Sequence, residues 1–387
     1  MKPIRPILAA LCLAQGCQCN ETEVNFPNAN VPNDAAPSAD HGAWLSLGTS
    51  PDDRRITASY YDRTLGAAAF AIATPGDDGE VVWSYETVDG YPDSSGLDIA
   101  DRGTHGSHAV APDGRVWYAY TDALLGGLYV AERPNGTRWK DPVLVDSAGG
   151  QWSAVATDAN GAPVVAHIGT DGASVRVSRL SGQDWSTEEV YRSEATTRLD
   201  GKTERLFAAE VKYMDLVIDG DTQTLAFFDA AVGALTVLEG ADAVYATTVV
   251  ADGDVGGWPS ILSTSDRLLI SAQDVANERL ILAERSDGGT FEITTLDDGA
   301  LTGADTAIFQ GADGEPGVVY FDGHNGDQLV TQRSTLGVWS TERVAGEATA
   351  AGFYNEVTLV DGVPWAGCYD YTTRTILLHS LRSEPKG

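Results

Sequence analysis

Reactive and metal-binding side chains are scarce in this chain. Its 387 residues include four cysteines, six histidines and two methionines. Cys12, Cys17 and Cys19 crowd into the start and leave Cys368 alone in the body. A disulfide framework is thereby excluded, neither a CxxC pair nor Cys/His zinc spacing occurs, and Cys368 is expected to be a small buried apolar residue. Positive charge is also scarce, with 25 Lys and Arg against 56 Asp and Glu and a formal net charge of -31. Such a surface repels phosphate backbones, so nucleic acid is not an expected partner. Beyond the first residues no stretch approaches the roughly 20 apolar positions that a membrane-spanning helix needs.

The one apolar run stands at the beginning, where Lys2 and Arg5 precede Ile7 to Ala14 and then Gln15-Gly16-Cys17. This pattern predicts a secretory signal over residues 1–16. Ala14-Gln15-Gly16-Cys17 resembles the bacterial lipobox. That resemblance implies a lipid on Cys17 as the chain's contact with the membrane, and a place in the bacterial cell envelope, with plain secretion as the alternative. Residues 17–41 are rich in Pro, Asn and Ala and predict a flexible tether. The acidic balance reads as solubility in an extracellular setting. Asp219-Gly220-Asp221 and Asp252-Gly253-Asp254 are the calcium alternatives, but neither continues into an EF-hand loop, so no cofactor is expected.

What the chain has in abundance is repetition. Tyr60-Tyr61-Asp62, Tyr120-Thr121-Asp122, Phe227-Phe228-Asp229, Tyr320-Phe321-Asp322 and Cys368-Tyr369-Asp370 share one pattern, and weaker copies end at Asp171 and Asp274. Seven copies at intervals of 45 to 60 residues mean a repeat architecture. From Gly149 to Tyr191 one unit reads as four short strands in succession, with the Asn160-Gly161 hairpin signal between the first two. The prediction is an all-β fold over residues 42–387, a seven-bladed β-propeller of four-stranded antiparallel blades. Trp83, Trp139, Trp185, Tyr245, Phe291 and Trp339 recur near the fourth strand and are expected to wedge between blades. The seventh unit ends after its third strand, and Thr22 to Phe26 is the segment available to complete it. Longer insertions fall at 91–104 and 193–210.

In a propeller the connections from a fourth strand to the next first strand emerge on one face, with the turns between second and third strands. The repeated aspartates are expected to cap those turns by accepting backbone N–H bonds. On the same face Ser107, Ser153, Asp215, Ser260, Thr306 and Glu356 begin inner strands beside the central channel, where their alternatives are ligand contacts or ordered water. Beside them Trp152, Tyr213, Trp258 and Tyr354 offer flat surfaces suited to sugar rings. Candidate ligand-binding residues are therefore Trp152, Tyr213, Asp215, Trp258, Tyr354 and Glu356. His105-Gly106-Ser107-His108 is the sharpest local motif, because two histidines three residues apart are able to share proton transfer or a metal; the bland alternative is an exposed pair without chemistry.

The Tyr-Asp turns and fourth-strand tryptophans together resemble the sialidase-like and related propeller repeats of secreted bacterial proteins. No full Ser-x-Asp-x-Gly-x-Thr-Trp box or preceding Arg-Ile-Pro segment is present, and Pro134-Asn135-Gly136-Thr137-Arg138-Trp139 only echoes the former, so none of that family's catalytic residues is carried over. Similarity to seven-bladed polysaccharide lyases implies a second assignment, with His105 or His108 as base, Tyr213 as acid and Arg102 neutralising a uronate carboxylate. The leading expectation is a monomeric propeller that binds a glycan or an extracellular protein without catalysis. The alternative is a carbohydrate-active enzyme, a lyase or a hydrolase, with its site at the channel mouth.

Overall fold

The computed structural model describes residues 39–382 except 51–53, 77–79, 91–100, 136, 201–202, 243 and 287. It is a seven-bladed β-propeller, and the described residues contain no helix. Blade 1 is β1 (His41–Thr49), β2 (Ile56–Asp62), β3 (Ala67–Pro75) and β4 (Val81–Asp89). Blade 2 is β5 (Arg102–Val110), β6 (Val116–Asp122), β7 (Leu128–Arg133) and β8 (Val143–Asp146), and blade 3 is β9 (Gly149–Thr157), β10 (Pro163–Gly169), β11 (Ser174–Ser181) and β12 (Asp184–Arg192). A two-stranded hairpin, β13 (Thr196–Asp200) with β14 (Thr203–Phe207), occupies the second insertion. Blade 4 is β15 (Val211–Asp219), β16 (Thr222–Asp229), β17 (Ala234–Ala241) and β18 (Val244–Ala251). Blade 5 is β19 (Val255–Ser263), β20 (Arg267–Asp274), β21 (Arg279–Ser286) and β22 (Glu292–Asp297), and blade 6 is β23 (Thr302–Gln310), β24 (Pro316–Asp322), β25 (Asp327–Arg333) and β26 (Trp339–Ala345). Blade 7 has three described strands, β27 (Phe353–Val360), β28 (Val363–Asp370) and β29 (Thr375–Ser380). The predicted signal, tether and closing strand at Thr22 to Phe26 lie outside the described residues, as does most of the first insertion.

All seven repeated aspartates cap the turn that follows the second strand. Asp122 Oδ1 accepts the N–H groups of Leu124 and Leu125 at 3.0 and 2.8 Å, and Asp370 Oδ1 those of Thr372 and Thr373 at 2.7 and 3.0 Å. Asp62, Asp171, Asp229, Asp274 and Asp322 make the same kind of bond. Each carboxylate satisfies turn donors that no strand partner reaches.

The core lies between blades rather than within one. Leu45, Ile56, Ala58 and Tyr60 of blade 1 pack with Val360 and Trp365 of blade 7, and Leu269, Leu280 and Leu282 of blade 5 with Ile308, Val318 and Tyr320 of blade 6. The fourth-strand aromatics complete these seams as expected. Trp139 meets Phe70 of the preceding blade at a ring separation of 5.1 Å, Trp185 meets Trp117 at 6.4 Å, and the Tyr245 hydroxyl bonds Arg179 at 2.7 Å. Cys368 is fully buried, and burial pushes its thiol up to about 12.

In blades 1, 2 and 4 to 7 the inner strand is hooked to the turn of the blade before it. The N–H groups of Arg102, Val211, Thr302 and Ala351 donate to the carbonyls of Gly66, Gly172, Glu278 and Gly326 at 2.8 to 3.0 Å, and His41 closes the ring by donating to Arg374 at 3.0 Å. At the crossing stands a glycine, Gly42, Gly103, Gly150, Gly256, Gly303 or Gly352, and in blade 4 that position is Val211, itself the hook donor. At Gly303 an added Cβ would lie 2.6 Å from Leu280 Cα and 2.7 Å from its backbone nitrogen, with φ at +86°. Gly253 has nearly the same φ, +85°, but open space around it. Alanine at either position meets the left-handed backbone cost, and only Gly303→Ala adds overlap with the neighbouring blade. Gly303→Ala is therefore expected to destabilise by at least about 2 kcal/mol more than Gly253→Ala in urea unfolding; equal losses would mean that the crossing does not constrain the ring.

Candidate functional site

Two residues beyond the glycine, or beyond Val211 in blade 4, the inner strand bulges. The register between first and second strands shifts there in blades 1, 2 and 5 to 7 alike. The bulged residue is Trp44, His105, Trp152, Tyr213, Trp258, Asp305 or Tyr354, all with φ between +47° and +54°. Non-glycine residues rarely adopt this conformation. Its recurrence in all seven blades makes it a property of the scaffold, which leaves the side-chain identities free to differ.

Six of those side chains are rings, and they form an arc around the channel mouth. Trp44 lies 5.0 Å from Tyr354 and 4.1 Å from His105 between ring centroids; His105 is 4.9 Å from Trp152, Trp152 4.7 Å from Tyr213, and Tyr213 stacks on Trp258 at 4.2 Å. Asp305 occupies the seventh position, in the gap between Trp258 and Tyr354. Together they line a pocket of about 170 Å³.

One tier deeper stand Ser46, Ser107, Ala154, Asp215, Ser260, Ala307 and Glu356. Five of these accept an N–H from the next blade. Ser46 takes that of His108 at 3.2 Å, Ser107 that of Val155 at 3.3 Å, Asp215 that of Ile261 at 2.7 Å and Ser260 that of Ile308 at 3.2 Å, while Glu356 takes that of Leu47 across the ring closure. Ser153 and Thr306 belong to a different register, where their hydroxyls donate to the carbonyls of His105 and Trp258 at 2.5 and 2.8 Å. The predicted row of channel hydroxyls thus splits into two sets, and both stitch neighbouring blades together.

Asp215, Asp305 and Glu356 keep some access to the channel yet have protein around them on every side, which makes their ionised forms costly. Burial raises Asp305 to about 7 against one bond from the Tyr354 N–H. Glu356 is raised well above the carboxylate range by burial and then by the charge of Asp215, and Asp215 is raised by burial in spite of bonds from Ile261, Leu216 and Ser260. Burial lowers His105 to about 4, so its imidazole is neutral at physiological pH, and its Nδ1 is enclosed without a hydrogen-bond partner. Tyr213 is raised to about 12 by burial and the neighbouring charges of Asp305 and Glu210.

The mouth brings together Trp152, Tyr213, Asp215, Trp258, Tyr354, Glu356 and His105 from the sequence prediction. Two candidates are corrected. His108 faces away from His105, between blades 1 and 2, with Nε2 2.9 Å from Thr57 Oγ1 and Nδ1 3.0 Å from Ser59 Oγ, and burial lowers it to about 3. The two histidines do not meet, because the bulge turns His105 to the channel while His108 lies in the sheet between the blades. Arg102 is bound at the edge of blade 2 by Asp89 at 2.5 Å and Asp122 at 3.3 Å and does not line the pocket. Among the described residues no group of three or more His, Cys, Asp or Glu is placed to hold a metal ion; Asp254 pairs with Arg198 of the hairpin at 2.6 Å, and Asp219 with Ser263 at 3.3 Å. The predicted lipid site, Cys17, is outside the described residues.

Trp44 and Asp305 were not evident as site residues in the sequence. The pattern that finds them is Gly-x-X, where X is the bulged residue two after the glycine, and it runs through Gly42-Ala43-Trp44, Gly103-Thr104-His105, Gly150-Gln151-Trp152, Gly256-Gly257-Trp258, Gly303-Ala304-Asp305 and Gly352-Phe353-Tyr354. Arg63, hydrogen-bonded to the Tyr354 hydroxyl, is a rim residue that the turn motif did not single out.

No family model matches this chain, and no curated protein matches it by sequence. Among solved structures it is similar to the polysaccharide lyase Uly1, with a TM-score of 0.52, 10% identity and 94% of each chain covered. It is also similar to the Aleuria aurantia lectin bound to alpha-methyl-L-fucoside, with a TM-score of 0.50, 11% identity, 81% of this chain covered and 98% of the lectin. The NanB sialidase of Streptococcus pneumoniae superposes at a TM-score of 0.45 with 9% identity over 84% of this chain and 82% of that one. At these identities the likeness is one of fold.

The folded chain keeps a proton on Asp305 up to about pH 7, whereas the unfolded chain releases it near 3.8. The folded state binds more protons within that window, so stability falls as pH rises from about 4 to 7 and stays low above. Asp305→Asn keeps an acceptor for the Tyr354 N–H and removes the charge. It is expected to leave the melting temperature nearly unchanged at pH 4 and to raise stability by up to roughly 4 kcal/mol at pH 8. A stabilisation independent of pH would show that Asp305 titrates as a solvated carboxylate.

Proposed function

We propose that this propeller is a non-catalytic glycan-binding protein and that it receives its ligand at the channel mouth. The observation that carries this reading is the arc of six rings with a carboxylate in its gap, held in one repeated backbone conformation. Aromatic faces bury the apolar faces of sugar rings, and a few fixed polar groups set orientation. At about 170 Å³ the pocket is small beside the roughly 300–1,000 Å³ of a drug-sized site, so a single ring or terminal group enters while the rest of the ligand lies on the face. The exposed Leu199 and Leu206 of the β13–β14 hairpin belong to the connections of that face.

A glycan array followed by calorimetry on the soluble propeller tests this. Trp152→Ala and Trp258→Ala are each expected to weaken binding at least 10-fold, with melting temperature as the control for folding. Binding that survives both changes would place the site elsewhere.

A carbohydrate-active enzyme is the second reading, and its support is Asp305, whose value of about 7 suits general acid–base work. The lyase arrangement has less support. The Trp152 ring stands between His105 and Tyr213, in contact with both, and Arg102 is engaged by two aspartates elsewhere. Incubation with a broad polysaccharide panel, read as new reducing ends or unsaturated-product absorbance, is expected to show no turnover. Turnover lost in Asp305→Asn would establish the enzyme instead.

On this reading the propeller stands outside the membrane, on a tether lipidated at Cys17. Fatty-acid labelling of the expressed chain is expected to disappear in Cys17→Ser; an unlabelled wild-type protein would leave simple secretion.

A further inference from the structure

We propose that the group seated at the channel mouth is an ammonium cation, carried in the first instance by an unacetylated amino sugar of the bound glycan. The inference rests on the mouth being the ligand site and adds the charge of what enters it.

The pocket is lined by the wrong groups for an anion. Asp215, Asp305 and Glu356 converge on it from three blades, and no cation among the described residues neutralises them; their partners are backbone N–H groups and the Ser260 hydroxyl. Arg63, the nearest rim cation, is engaged with Tyr354 and stands near Tyr369 and Asp40. His105 adds a neutral imidazole rather than a cation to the lining, with its Nδ1 enclosed and without a partner. An alkylammonium group is donor-only and positively charged, which complements this set. The rings supply the other half of the recognition, because a cation over indole and phenol faces is attracted to their negative π-clouds. A net charge of -31 adds a field that draws cations in and turns carboxylated sugars away.

The carboxylates are more than the scaffold requires. Ser46, Ser107 and Ser260 accept the same inter-blade N–H bond with an uncharged hydroxyl. Ala154 and Ala307 occupy the position with no acceptor at all. Asp215 and Glu356 fulfil that structural role with a group whose enclosure is costly, so their charge serves something other than the ring.

A bound cation replaces the protons that burial holds on the site. Asp305 shares the pocket with His105, Tyr213, Asp215, Tyr354 and Glu356, and Glu210 and Arg63 stand beside Tyr213 and Tyr354. The two tyrosines stay protonated and His105 stays neutral between pH 5.5 and 8, so the carboxylates carry the titration. A positive ligand favours their ionised forms, and binding therefore releases protons and strengthens as pH rises across that range.

The test is calorimetry on the whole propeller with four probes: a glucosamine tetramer, its N-acetylated counterpart, a galacturonate tetramer and tetramethylammonium. The first is expected to bind at least 10-fold tighter than the second, and the third not to bind. Tetramethylammonium keeps its charge at every pH, and its affinity is expected to rise several-fold from pH 5.5 to 8, with a heat that varies with buffer ionisation enthalpy as protons leave. Asp305→Asn and Glu356→Gln are each expected to lower ammonium affinity at least 10-fold while the fold persists. Preference for the N-acetylated or uronate tetramer would overturn the cationic assignment and leave glycan binding intact. Tetramethylammonium binding with no sugar binding would uphold the cation site and overturn the glycan reading. No binding by any probe, or ammonium affinity unchanged in both variants, would overturn the inference.

Discussion

The propeller depends on one close crossing, repeated in six of the seven blades, where a glycine of the inner strand passes the preceding blade with no room for a side chain. At Gly256 the backbone of Leu235 would stand 2.7 Å from an added Cβ, and at Gly103 that of Ala68 would stand at 2.8 Å. The crossing lets the N–H just before the glycine reach the neighbouring turn, and the repeated aspartate holds that turn in shape. Past the crossing the strand has to recover its register with the second strand, and the bulge with a left-handed residue does this. The ring of side chains at the mouth is thus a downstream result of backbone packing between blades.

Closure of the ring uses the same contact. Blade 1 hooks blade 7 through His41 and Arg374, Gly42 crosses at Ile376, and the Tyr369 hydroxyl bonds Asp40 at 2.8 Å. On the channel side Glu356 of blade 7 takes the N–H of Leu47 of blade 1, as Ser46 takes that of His108 one blade further on. Among the described residues, the inner three strands of blades 1 and 7 carry the contacts that close the ring. Outside them, charged pairs between third strands tie the blades at larger radius, as Arg285 with Glu239 at 2.5 Å and Arg333 with Glu284 at 2.7 Å. Such half-buried bidentate pairs fix geometry more than they add stability.

The fold was legible because its signals are local. An aspartate that caps a turn two or three residues away, and an Asn-Gly hairpin, act within a few positions of chain, so Asp62 to Asp370 announced the blades at once. The site was legible only in part, because its geometry depends on a bulge that no propensity marks. Ser153 and Ser107 looked equivalent as polar residues near the start of an inner strand; the bulge places one to donate to the preceding blade and the other to accept from the next. His105 and His108 looked like a pair for the same reason, since spacing alone does not show that the bulge residue turns to the channel while the third residue after it returns to the sheet. Asp305 escaped notice because an aspartate in a column of aromatic residues carries no local motif of its own.

At that column backbone preference and solvation pull in opposite directions. Aspartate tolerates a left-handed backbone better than tryptophan or tyrosine, so Asp305 at φ +47° is less strained than the five tryptophans and tyrosines of the column while its carboxyl is enclosed. Trp44, Trp152, Tyr213, Trp258 and Tyr354 have the reverse balance, with backbone strain offset by ring packing. Every blade therefore carries a local cost at the mouth, in one form or the other. None of these residues would hold its position alone, and what holds them is the inter-blade core and the glycine crossing beneath. A rigid ring that fixes seven unfavourable residues in one small circle is preorganised, so a ligand that relieves the enclosed charge or covers the rings meets a site already in its binding geometry.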